Sequence, residues 1–382
     1  YYFNTDGEMR YGWFEDNGDW YYLGTEDEGW RTDAKWLWLE EPNEDDEDND
    51  SMPSHDDDCS LCDSEGWYYF QNDGKAYRDN SKKKKINGKY YYFNNHGQML
   101  YEWIDNKKVS VGSNAQLDAK RADGSVATAG EMLYYNVNEE GWRADGWYQI
   151  DGADALKAGD DTDWYYFKDG KAKKADDGEK NNTDLTDDGA KVYTKKIKIN
   201  GKNFCFNEIG QMQTGLQMID KKFYYFDNDG YMKTGKIANV EEEDDNYTYY
   251  FETKNGKNGQ GYTGEKSGYL YWNGKRLEAD DDYRIYVVDK KYYLVNNKGK
   301  LQKSTSKEYD VENFGDDVKF TFRNTYEIAS STKDGSEGTY KNAATLPKIE
   351  LFDNAIYQDA LGVTHYENTD AYEAAQNAVA NK

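Results

Sequence analysis

A short acidic segment holds a group of side chains that could bind a metal or form a disulfide. His55, Cys59 and Cys62 lie within Ser54–Asp63, a stretch in which aspartate predominates. A Cys-x-x-Cys pair beside a histidine could hold a metal ion, but a zinc site needs four ligands and the chain has no second cysteine pair. The third cysteine, Cys205, stands among aromatic residues and is predicted to be a buried, inert thiol.

Carboxylates are concentrated in three runs, Glu44–Asp50, Asp56–Asp58 and Glu241–Asp245. Calcium is a hard cation that binds six to eight oxygen ligands, so these runs could collect it. None has the EF-hand spacing, and a run of like charge is usually a solvated loop, so both interpretations stay open. The candidate calcium ligands are Asp45, Asp46, Asp48, Asp56, Asp57 and Asp58.

The sequence offers no convincing catalytic constellation. Its 3 histidines are scattered at positions 55, 96 and 365, and no nucleophile elbow, phosphate-binding loop or zinc-protease motif is present. Aspartate and glutamate could form a glycosidase pair, but a glycine-rich repeat of hairpins provides no deep pocket to raise the pKa of a carboxylic acid. We therefore predict a protein that is not an enzyme.

The charge of the chain limits its partners. The formal net charge of −26 repels nucleic acid and anionic membranes and favours cations, including calcium and quaternary ammonium groups. The lysine run 82–85 is predicted to balance neighbouring carboxylates rather than to bind a polyanion. The sequence has no run of eighteen apolar residues and predicts no membrane span. It opens within a repeat, which indicates a piece of a longer protein or a processed product.

The structural unit that must position these side chains is a β-hairpin. Residues 222–235 begin with an aromatic run, continue through an Asn-Asp-Gly turn and reach a methionine before the next glycine. Aromatic side chains suit a half-buried strand, and Asn-Asp-Gly supplies the left-handed backbone angles of a tight turn. The same pattern occurs 20 residues earlier, where Phe206, Gly210 and Met212 precede Phe226, Gly230 and Met232. The fixed period predicts a repeat array.

A longer repeat contains these short ones. Gly29–Asp33 recurs as Gly141–Asp145, and Ile86–Lys89 recurs as Ile199–Lys202, at spacings of 112 and 113 residues. With 37 Tyr, 11 Trp and 14 Phe, the core is predicted to be thin, elongated and largely aromatic. We predict super-repeats over residues 1–105, with an acidic insertion, 106–240 and, in degenerate form, 241–303. Residues 304–382 lack the repeat and are predicted to be a cap or docking module.

The aromatic units resemble the cell-wall-binding repeats of Gram-positive surface proteins. Trp20–Leu23 carries the aromatic strand, Trp67–Gly74 the strand with its glycine turn, and Phe223–Gly235 the strand, the turn and the methionine in the family's order. The family includes choline-binding modules, the glucan-binding repeats of glucosyltransferases and the repetitive domains of clostridial toxins. The resemblance covers residues 1–303 in patches and implies an all-β, elongated solenoid of stacked β-hairpins with long loop insertions, displayed outside the cell.

The resemblance also implies ligand sites built from aromatic rings between hairpins. In choline-binding members one tryptophan opens the aromatic strand and another follows a glycine, as in Gly12-Trp13 with Trp20 and in Gly146-Trp147 with Trp164. Each ring face in contact with a quaternary ammonium contributes about 0.5–2 kcal/mol. The alternative is that the rings only fill the narrow core. The candidate cage residues are Trp13, Trp20, Tyr22, Trp30, Trp67, Trp103, Trp147, Trp164 and Tyr166.

Two functions compete on this basis. The first is a non-enzymatic module that binds a cell-wall polymer, either choline-bearing teichoic acid or a glucan, at the cell surface. The second is a structural surface fibre or adhesin repeat that self-associates. Hairpins that end in Gly215-Leu216 and Gly235-Lys236 lack the second tryptophan and are predicted to be structural. In the extracellular setting that the resemblance implies, a Cys59–Cys62 disulfide is expected rather than a metal site.

Overall fold

The computed structural model describes residues 1–42, 52–53, 62–105, 128–151, 156, 161–176, 184–185, 191–192, 194–219, 222–242, 245–254, 256–312, 314–323, 325–332 and 341–342. Within these residues the chain is all-β, as the sequence predicts, with one short 3-10 turn at Ala129–Glu131. None of their helices is long and apolar enough to cross a membrane.

The chain divides into two compact units, and the strands of each form small separate sheets. Unit 1 comprises residues 1–173 with 209–211, and unit 2 comprises residues 174–208 with 212–382. The strands of unit 1 are β1 Trp13–Asp16, β2 Asp19–Tyr22, β3 Lys35–Glu40, β4 Glu65–Phe70, β5 Lys84–Ile86, β6 Lys89–Phe93, β7 Met99–Leu100, β8 Glu102–Asp105, β9 Met132–Tyr135, β10 Gly146–Asp151, β11 Thr162–Lys168 and β12 Lys171–Ala172. Its described sheets are antiparallel and contain two or three strands each.

Unit 2 continues with hairpins and adds two larger sheets. Its strands are β13 Asp184–Leu185, β14 Lys191–Val192, β15 Thr194–Ile199, β16 Lys202–Asn207, β17 Met212–Gln213, β18 Gly215–Ile219, β19 Lys222–Phe226, β20 Gly235–Glu242, β21 Asp245–Phe251, β22 Gly264–Lys266, β23 Tyr269–Trp272, β24 Lys275–Arg276, β25 Tyr283–Val288, β26 Lys291–Asn296, β27 Tyr309–Val311, β28 Gly315–Val318, β29 Phe320–Phe322, β30 Ile328–Ser331 and β31 Lys341–Asn342. A five-stranded sheet contains β20 to β24, and a four-stranded sheet contains β25 to β28.

The Asn-Gly turns form two-residue hairpins. In the β5–β6 hairpin, Asn87 and Gly88 have φ values of 48° and 85°, and Ile86 pairs with Lys89. Positive φ at both central residues matches the right-handed twist of the flanking strands, and asparagine and glycine tolerate it best. The equivalent Asn200-Gly201 turn has nearly the same angles, 47° and 84°. The hairpins predicted from these dipeptides are therefore confirmed.

Packing between successive turns explains why glycine and methionine recur together. A Cβ atom added to Gly230 would lie 2.3 Å from the Met212 sulfur, and one added to Gly29 would lie 2.4 Å from the Met9 sulfur. Gly141 meets Met99 and Gly259 meets Met232 in the same way. Each methionine thus lies directly against the backbone of a later turn, where any side chain would displace it. We call these four contacts the Met–Gly contacts.

Consecutive hairpins of unit 1 bury their faces against each other. Side chains alternate between the two faces of a strand, so each hairpin has two apolar faces to cover. In the β8–β9 hairpin, Trp103 and Tyr134 pack against the next hairpin, whereas Leu133 and Tyr135 pack against Tyr92 of the preceding one. The core of this unit is therefore a series of aromatic layers between sheets and not one central cluster.

The sheet of β25–β28 spans the predicted boundary at residue 304. Tyr283 of β25 pairs in parallel with Val311 of β27, and Tyr309 and Phe320 share a buried cluster with Ile285. Of the predicted C-terminal elements, the alternating segment 318–322 forms the end of β28 and β29. The predicted strand at 349–352 and the alanine-rich helix at 372–379 lie outside the described residues.

Candidate aromatic binding site

The β10–β11 hairpin presents different side chains on its two faces. Trp147 lies opposite Tyr166, and Gln149 lies opposite Trp164, so these residues share one face. Trp147 and Trp164 are far apart in sequence, but the antiparallel register of the hairpin places them near each other on adjacent strands. The structure therefore brings together Trp147, Trp164 and Tyr166, three of the predicted cage residues.

The other face of this hairpin is part of the core of unit 1. Tyr165 and Phe167 are 1% and 0% exposed and pack against Trp103. The ring centroid of Trp103 lies 5.6 Å from that of Tyr165 and 5.5 Å from that of Phe167. Burial of these rings fixes the hairpin in position and leaves its first face to carry the site.

The three rings on the first face form a corner. Trp147 and Tyr166 have centroids 5.1 Å apart with planes at 69°, and Trp147 and Trp164 have centroids 6.5 Å apart with planes at 80°. The Trp164 side chain is 43% exposed, and the other two are half-buried. We call Trp147, Trp164 and Tyr166 the aromatic corner. Its rings meet at near-perpendicular angles, and the Trp164 ring is accessible to solvent.

A glycine sets the direction of the strand that carries Trp147. Gly146 has φ of +104°, although an added Cβ would meet no atom within 4 Å. The requirement is therefore conformational, since residues with a side chain rarely adopt this φ. Gly12 before Trp13 has φ of +71° with the same open surroundings. This explains why the Gly-Trp pair appears as a unit in the sequence.

A carboxylate on the core face of the same hairpin is held by an amide. Asp163 precedes Trp164 and accepts a hydrogen bond of 2.6 Å from the Gln211 side chain. Burial raises the pKa of Asp163, the hydrogen bond from Gln211 lowers it, and the nearby charge of Asp161 raises it again. The net shift is upward, because desolvation disfavours the charged form of a carboxyl group. The bond to Gln211 fixes the start of β11.

The first predicted cage is closed. Trp13 and Trp20 are 6% and 1% exposed, with Tyr22 half-buried beside them, and all three pack against Tyr68 and Phe70 of the β3–β4 hairpin. The centroid of Trp13 lies 4.8 Å from that of Tyr68. The prediction of an open cage here is therefore corrected, because the face that carries these rings is covered by the next hairpin.

A protein cation already contacts the second of these tryptophans. The guanidinium carbon of Arg78 lies 3.7 Å from the Trp20 ring centroid, and the indole nitrogen of Trp20 donates to Glu15 over 3.2 Å. Burial lowers the pKa of Arg78, and Glu15 and Asp19 oppose that shift. Arg78 therefore makes a cation–π contact on the ring face that a ligand cation would need.

The remaining predicted cage residues lie in different environments. Trp103 is 4% exposed and belongs to the core, so it presents no ligand face. Trp30 is 49% exposed and has no ring partner within the described part of the chain. Trp67 is half-buried and packs edge-on against Trp38, with centroids 5.6 Å apart. Only Trp67 therefore belongs to a second partly open aromatic group.

Sequence reasoning missed the tryptophans that complete this second group. Trp36 lies opposite Tyr69 and Trp38 lies opposite Trp67, in the same register as the aromatic corner. Trp38 is 39% exposed, but Trp36 stacks on Phe93 at 5.6 Å and 17°. The signal in the sequence was the alternation Trp-Leu-Trp-Leu, which places both tryptophans on one face of a strand. Within the described residues, Phe93 therefore covers part of this group.

Trp142, which precedes the aromatic corner in sequence, is also in contact with a cation of the protein. The Lys89 ammonium lies 2.8 Å from the ring centroid of Trp142. The related tryptophan of the first super-repeat, Trp30, has no such lysine among the described residues. Two positions that are equivalent in sequence therefore differ in whether the chain itself supplies a cation.

The predicted calcium ligands Asp45, Asp46, Asp48, Asp56, Asp57 and Asp58 lie outside the described residues, as do His55 and Cys59. Among the residues that are described, no group of three or more His, Cys, Asp or Glu could hold a metal ion. Cys62 is disulfide-bonded and Cys205 is a free, buried thiol. Burial raises the pKa of Cys205 to about 12, which keeps it protonated and unreactive. The pairing of Cys62 with Cys59 remains a prediction.

Several solved structures are similar to this chain. Choline binding protein F from Streptococcus pneumoniae is similar over 85% of this chain and 93% of its own, at 22% identity and a TM-score of 0.46. The same protein in the presence of a peptidoglycan analogue is similar over 80% and 91%, at 24% identity and a TM-score of 0.44. The modular autolysin LytC of that organism is similar over 75% and 53%, at 16% identity and a TM-score of 0.18. No curated protein matches the sequence.

Two protein-family models match parts of the sequence. The model of a choline-binding repeat matches residues 213–260, which lie in unit 2. The model of a cell wall binding repeat matches residues 12–26, 61–76 and 84–99, which lie in unit 1. With matches in both units, the chain carries cell-wall-binding repeats of the choline-binding type.

Proposed function

We propose that this protein is a non-enzymatic cell-surface module that holds a cell-wall polymer by its choline groups, and that the aromatic corner is a choline site. The observation that carries the proposal is the set of three rings on one face of the β10–β11 hairpin, at angles of 69° and 80° to Trp147. The family matches support cell-wall binding, and the corner supports a specific place for it.

The angles between the rings favour a cation over a sugar. A trimethylammonium group is compact and can contact ring faces from several directions, and each contact is worth about 0.5–2 kcal/mol. A pyranose ring is flat and stacks best on one broad aromatic surface, which two perpendicular indoles do not provide. The net charge of −26 adds a long-range attraction for cations. Choline is therefore the preferred ligand, and glucan is the alternative.

The packing in unit 1 supports the stacking that this function needs. Tyr68 and Phe70 cover the ring face of the β1–β2 hairpin, and Tyr165 and Phe167 cover that of the β8–β9 hairpin. A solenoid would require contacts of this kind between successive hairpins, and the solenoid predicted from the sequence is part of this proposal. A polymer with regularly spaced choline groups could then engage successive hairpins wherever the ring face stays open.

Tryptophan fluorescence titrated with choline chloride tests the proposal. We expect a saturable change in the unmodified protein. In Trp164→Ala and in Trp147→Ala the dissociation constant should rise about 2- to 30-fold, which corresponds to the loss of one cation–π contact. Soluble glucan oligomers, titrated in the same way, should give no saturable change.

The matched control is Trp30→Ala. Trp30 is as exposed as Trp164, at 49% against 43%, but lies outside the aromatic corner. Its replacement should leave the choline affinity unchanged. Equal losses in Trp30→Ala and Trp164→Ala, or saturation by glucan with no response to choline, would overturn the assignment of the corner as a choline site.

The buried tryptophans of the first hairpin favour a second candidate role, in which the rings are structural. Trp13 and Trp20 stabilise the stack and have no face left for a ligand. A protein in which every ring acts in this way would be a surface fibre or adhesin repeat that self-associates. Light scattering over a range of concentrations tests this alternative. Assembly that increases with concentration, together with no response to choline, would favour it.

A further inference from the structure

A basic cleft lies in unit 1, apart from the tryptophans of the aromatic corner. Its volume is about 660 Å³. Four cationic side chains and one carboxylate line it, together with aromatic rings. The charged residues are Lys82, Lys83, Arg143, Lys171 and Asp169, and the buried Tyr135 also lines the cleft. We call this feature the basic cleft. Its charge is opposite to that of the chain as a whole, which is −26.

We propose that the basic cleft binds a phosphate group, supplied by the phosphodiester backbone of the same choline-bearing polymer. This inference rests on the proposed function, because teichoic acids join their units through phosphate. It adds a second kind of contact, made by cations of the protein to an anion of the ligand. The cleft and the aromatic corner would then recognise two different groups of one polymer.

The charges of the cleft are only partly neutralised within the protein. Lys82 pairs with Asp79 at 2.8 Å, and Arg143 pairs with Asp169 at 3.0 Å. Lys83 and Lys171 line the cleft and form no ion pair within the described residues. The sequence-based expectation that the lysine run balances neighbouring carboxylates therefore holds for Lys82 and not for Lys83. Two ammonium groups remain available to an anion.

Besides Lys83 and Lys171, a buried hydroxyl group at the cleft also points to a ligand. Tyr135 is 0% exposed, and its hydroxyl has no hydrogen-bond partner in the described part of the chain. A buried polar group without a partner is costly, and such groups often mark a place where a ligand or water belongs. The positive charge of Arg143 acts on this hydroxyl, and the residue lines the cleft. An anion between them would accept the missing hydrogen bond.

The protonation of this hydroxyl fits an anionic ligand. Burial raises the pKa of Tyr135, the nearby Tyr92 raises it further and Arg143 lowers it. The group is therefore a neutral donor at neutral pH and can donate to a phosphate oxygen. Phosphate has several oxygens pointing in different directions, and the cleft offers point charges from lysines, a planar guanidinium and a hydroxyl donor.

The position of Lys171 connects the cleft with the proposed choline site. Lys171 lies in β12, which pairs with β11, and β11 carries Trp164 and Tyr166. One three-stranded sheet therefore contributes both a cation to the cleft and rings to the corner. A polymer in which phosphate and choline alternate could contact both parts of this sheet.

Calorimetric titration with inorganic phosphate and with dimethyl phosphate, a phosphodiester, tests the proposal. Lys171→Gln should weaken phosphate binding about tenfold, as expected for the loss of a charge-assisted contact. The matched control is Lys168→Gln, because Lys168 is the cross-strand partner of Lys171 but does not line the cleft. Choline binding should be unchanged in both variants. Equal weakening of phosphate binding in the two variants, or no phosphate binding at all, would overturn the proposal.

Tyr135→Phe is the sharper variant, since it removes only the hydroxyl without a partner. The thermal unfolding midpoint should stay the same or rise, whereas phosphate affinity should fall about fivefold, as for one lost hydrogen bond. Unchanged phosphate affinity in a folded Tyr135→Phe protein would exclude the hydroxyl as a ligand group and overturn the proposal. If phosphate binds and is weakened by Lys171→Gln and Tyr135→Phe as expected, but the protein does not respond to choline, only the choline site is refuted. Binding of inorganic phosphate with no binding of dimethyl phosphate would contradict a polymer phosphodiester as the source.

Discussion

Two hairpins with the same register, one in each unit, differ in what their rings do. In the β10–β11 hairpin, Gly146 pairs with Phe167 and Trp147 pairs with Tyr166. In the β18–β19 hairpin, Gly215 pairs with Phe226 and Leu216 pairs with Tyr225. The two backbones place side chains identically, yet Leu216 stands where Trp147 does and Phe223 stands where Trp164 does.

The face that carries the exposed Trp164 in the first hairpin is core in the second. Leu216, Met218 and Phe223 pack with Tyr249 and Phe251 of the following strands in unit 2. Phe223 is 2% exposed, whereas Trp164 is 43% exposed. The family match to a choline-binding repeat, at 213–260, covers this closed hairpin. A repeat of the choline-binding type can therefore act as structure when its tryptophans are replaced by smaller residues.

The β1–β2 hairpin separates the effect of having tryptophan from the effect of being covered by another hairpin. That hairpin keeps both tryptophans, Trp13 and Trp20, but Tyr68 and Phe70 cover them. Tryptophan is thus needed for the corner but is not sufficient, because the face must also remain uncovered. The following predictions test these two conditions separately.

High pH should destabilise both units, because both of them bury tyrosine. Burial raises the pKa of Tyr77 to about 12 and also raises that of Tyr165 in unit 1 and of Tyr271 in unit 2. In the unfolded chain tyrosine ionises near pH 10, so above that pH the unfolded state has lost more protons than the folded one.

The stability that these groups provide is therefore complete below about pH 10 and falls as the pH rises toward about 12. We expect cooperative loss of both units in this interval, measured by circular dichroism and phenolate absorbance. Full ionisation of the tyrosines near pH 10 with the β-structure intact would contradict the buried aromatic core.

Trp20→Ala and Trp164→Ala should separate core from surface. Each residue is the first aromatic of its strand, but Trp20 is 1% exposed and Trp164 is 43% exposed. Removing the buried indole should lower the free energy of unfolding by about 3–5 kcal/mol. Removing the exposed one should cost less than about 1 kcal/mol of stability and act on choline affinity instead. Denaturant unfolding measures both, and equal destabilisation would contradict the difference between the two faces.

Leu216→Trp should fail to convert the closed hairpin into a binding site. The larger ring would enter a face that Tyr249 and Phe251 already cover, and overpacking of this kind costs about 1–3 kcal/mol of stability. No second choline site should appear in a calorimetric titration. A new stoichiometric site in this variant would show that tryptophan alone is sufficient and that covering is not decisive.

The local structure was well determined by the sequence. The Asn87-Gly88 turn and the aromatic strand with its glycine turn and methionine were predicted as hairpins and are found as such. These features depend on backbone angles and on side-chain alternation within a few residues. The Met–Gly contacts also follow the sequence period, although the physical contact behind that period becomes evident only in the structure.

The openness of each site could not be predicted in the same way. Whether Trp13 is exposed depends on Tyr68, which lies far along the chain and beyond a long insertion. The basic cleft likewise combines Lys83 with Arg143 and Lys171, which are separated by 60 residues or more from that lysine. A single sequence shows which side chains share a strand face, but it does not show which face lies against which.

The Met–Gly contacts make the stack sensitive to oxidants. Met9, Met212 and Met232 are only half-buried, so peroxide has access to these side chains, and their sulfur atoms lie against the backbones of Gly29, Gly230 and Gly259. A sulfoxide adds a polar oxygen to a site with no space for it, and its formation is reversed only by methionine sulfoxide reductases. Oxidation would loosen the contact between one turn and the next while every backbone hydrogen bond within a hairpin remained. The arrangement of successive hairpins would thus be disturbed before the strands themselves unfold.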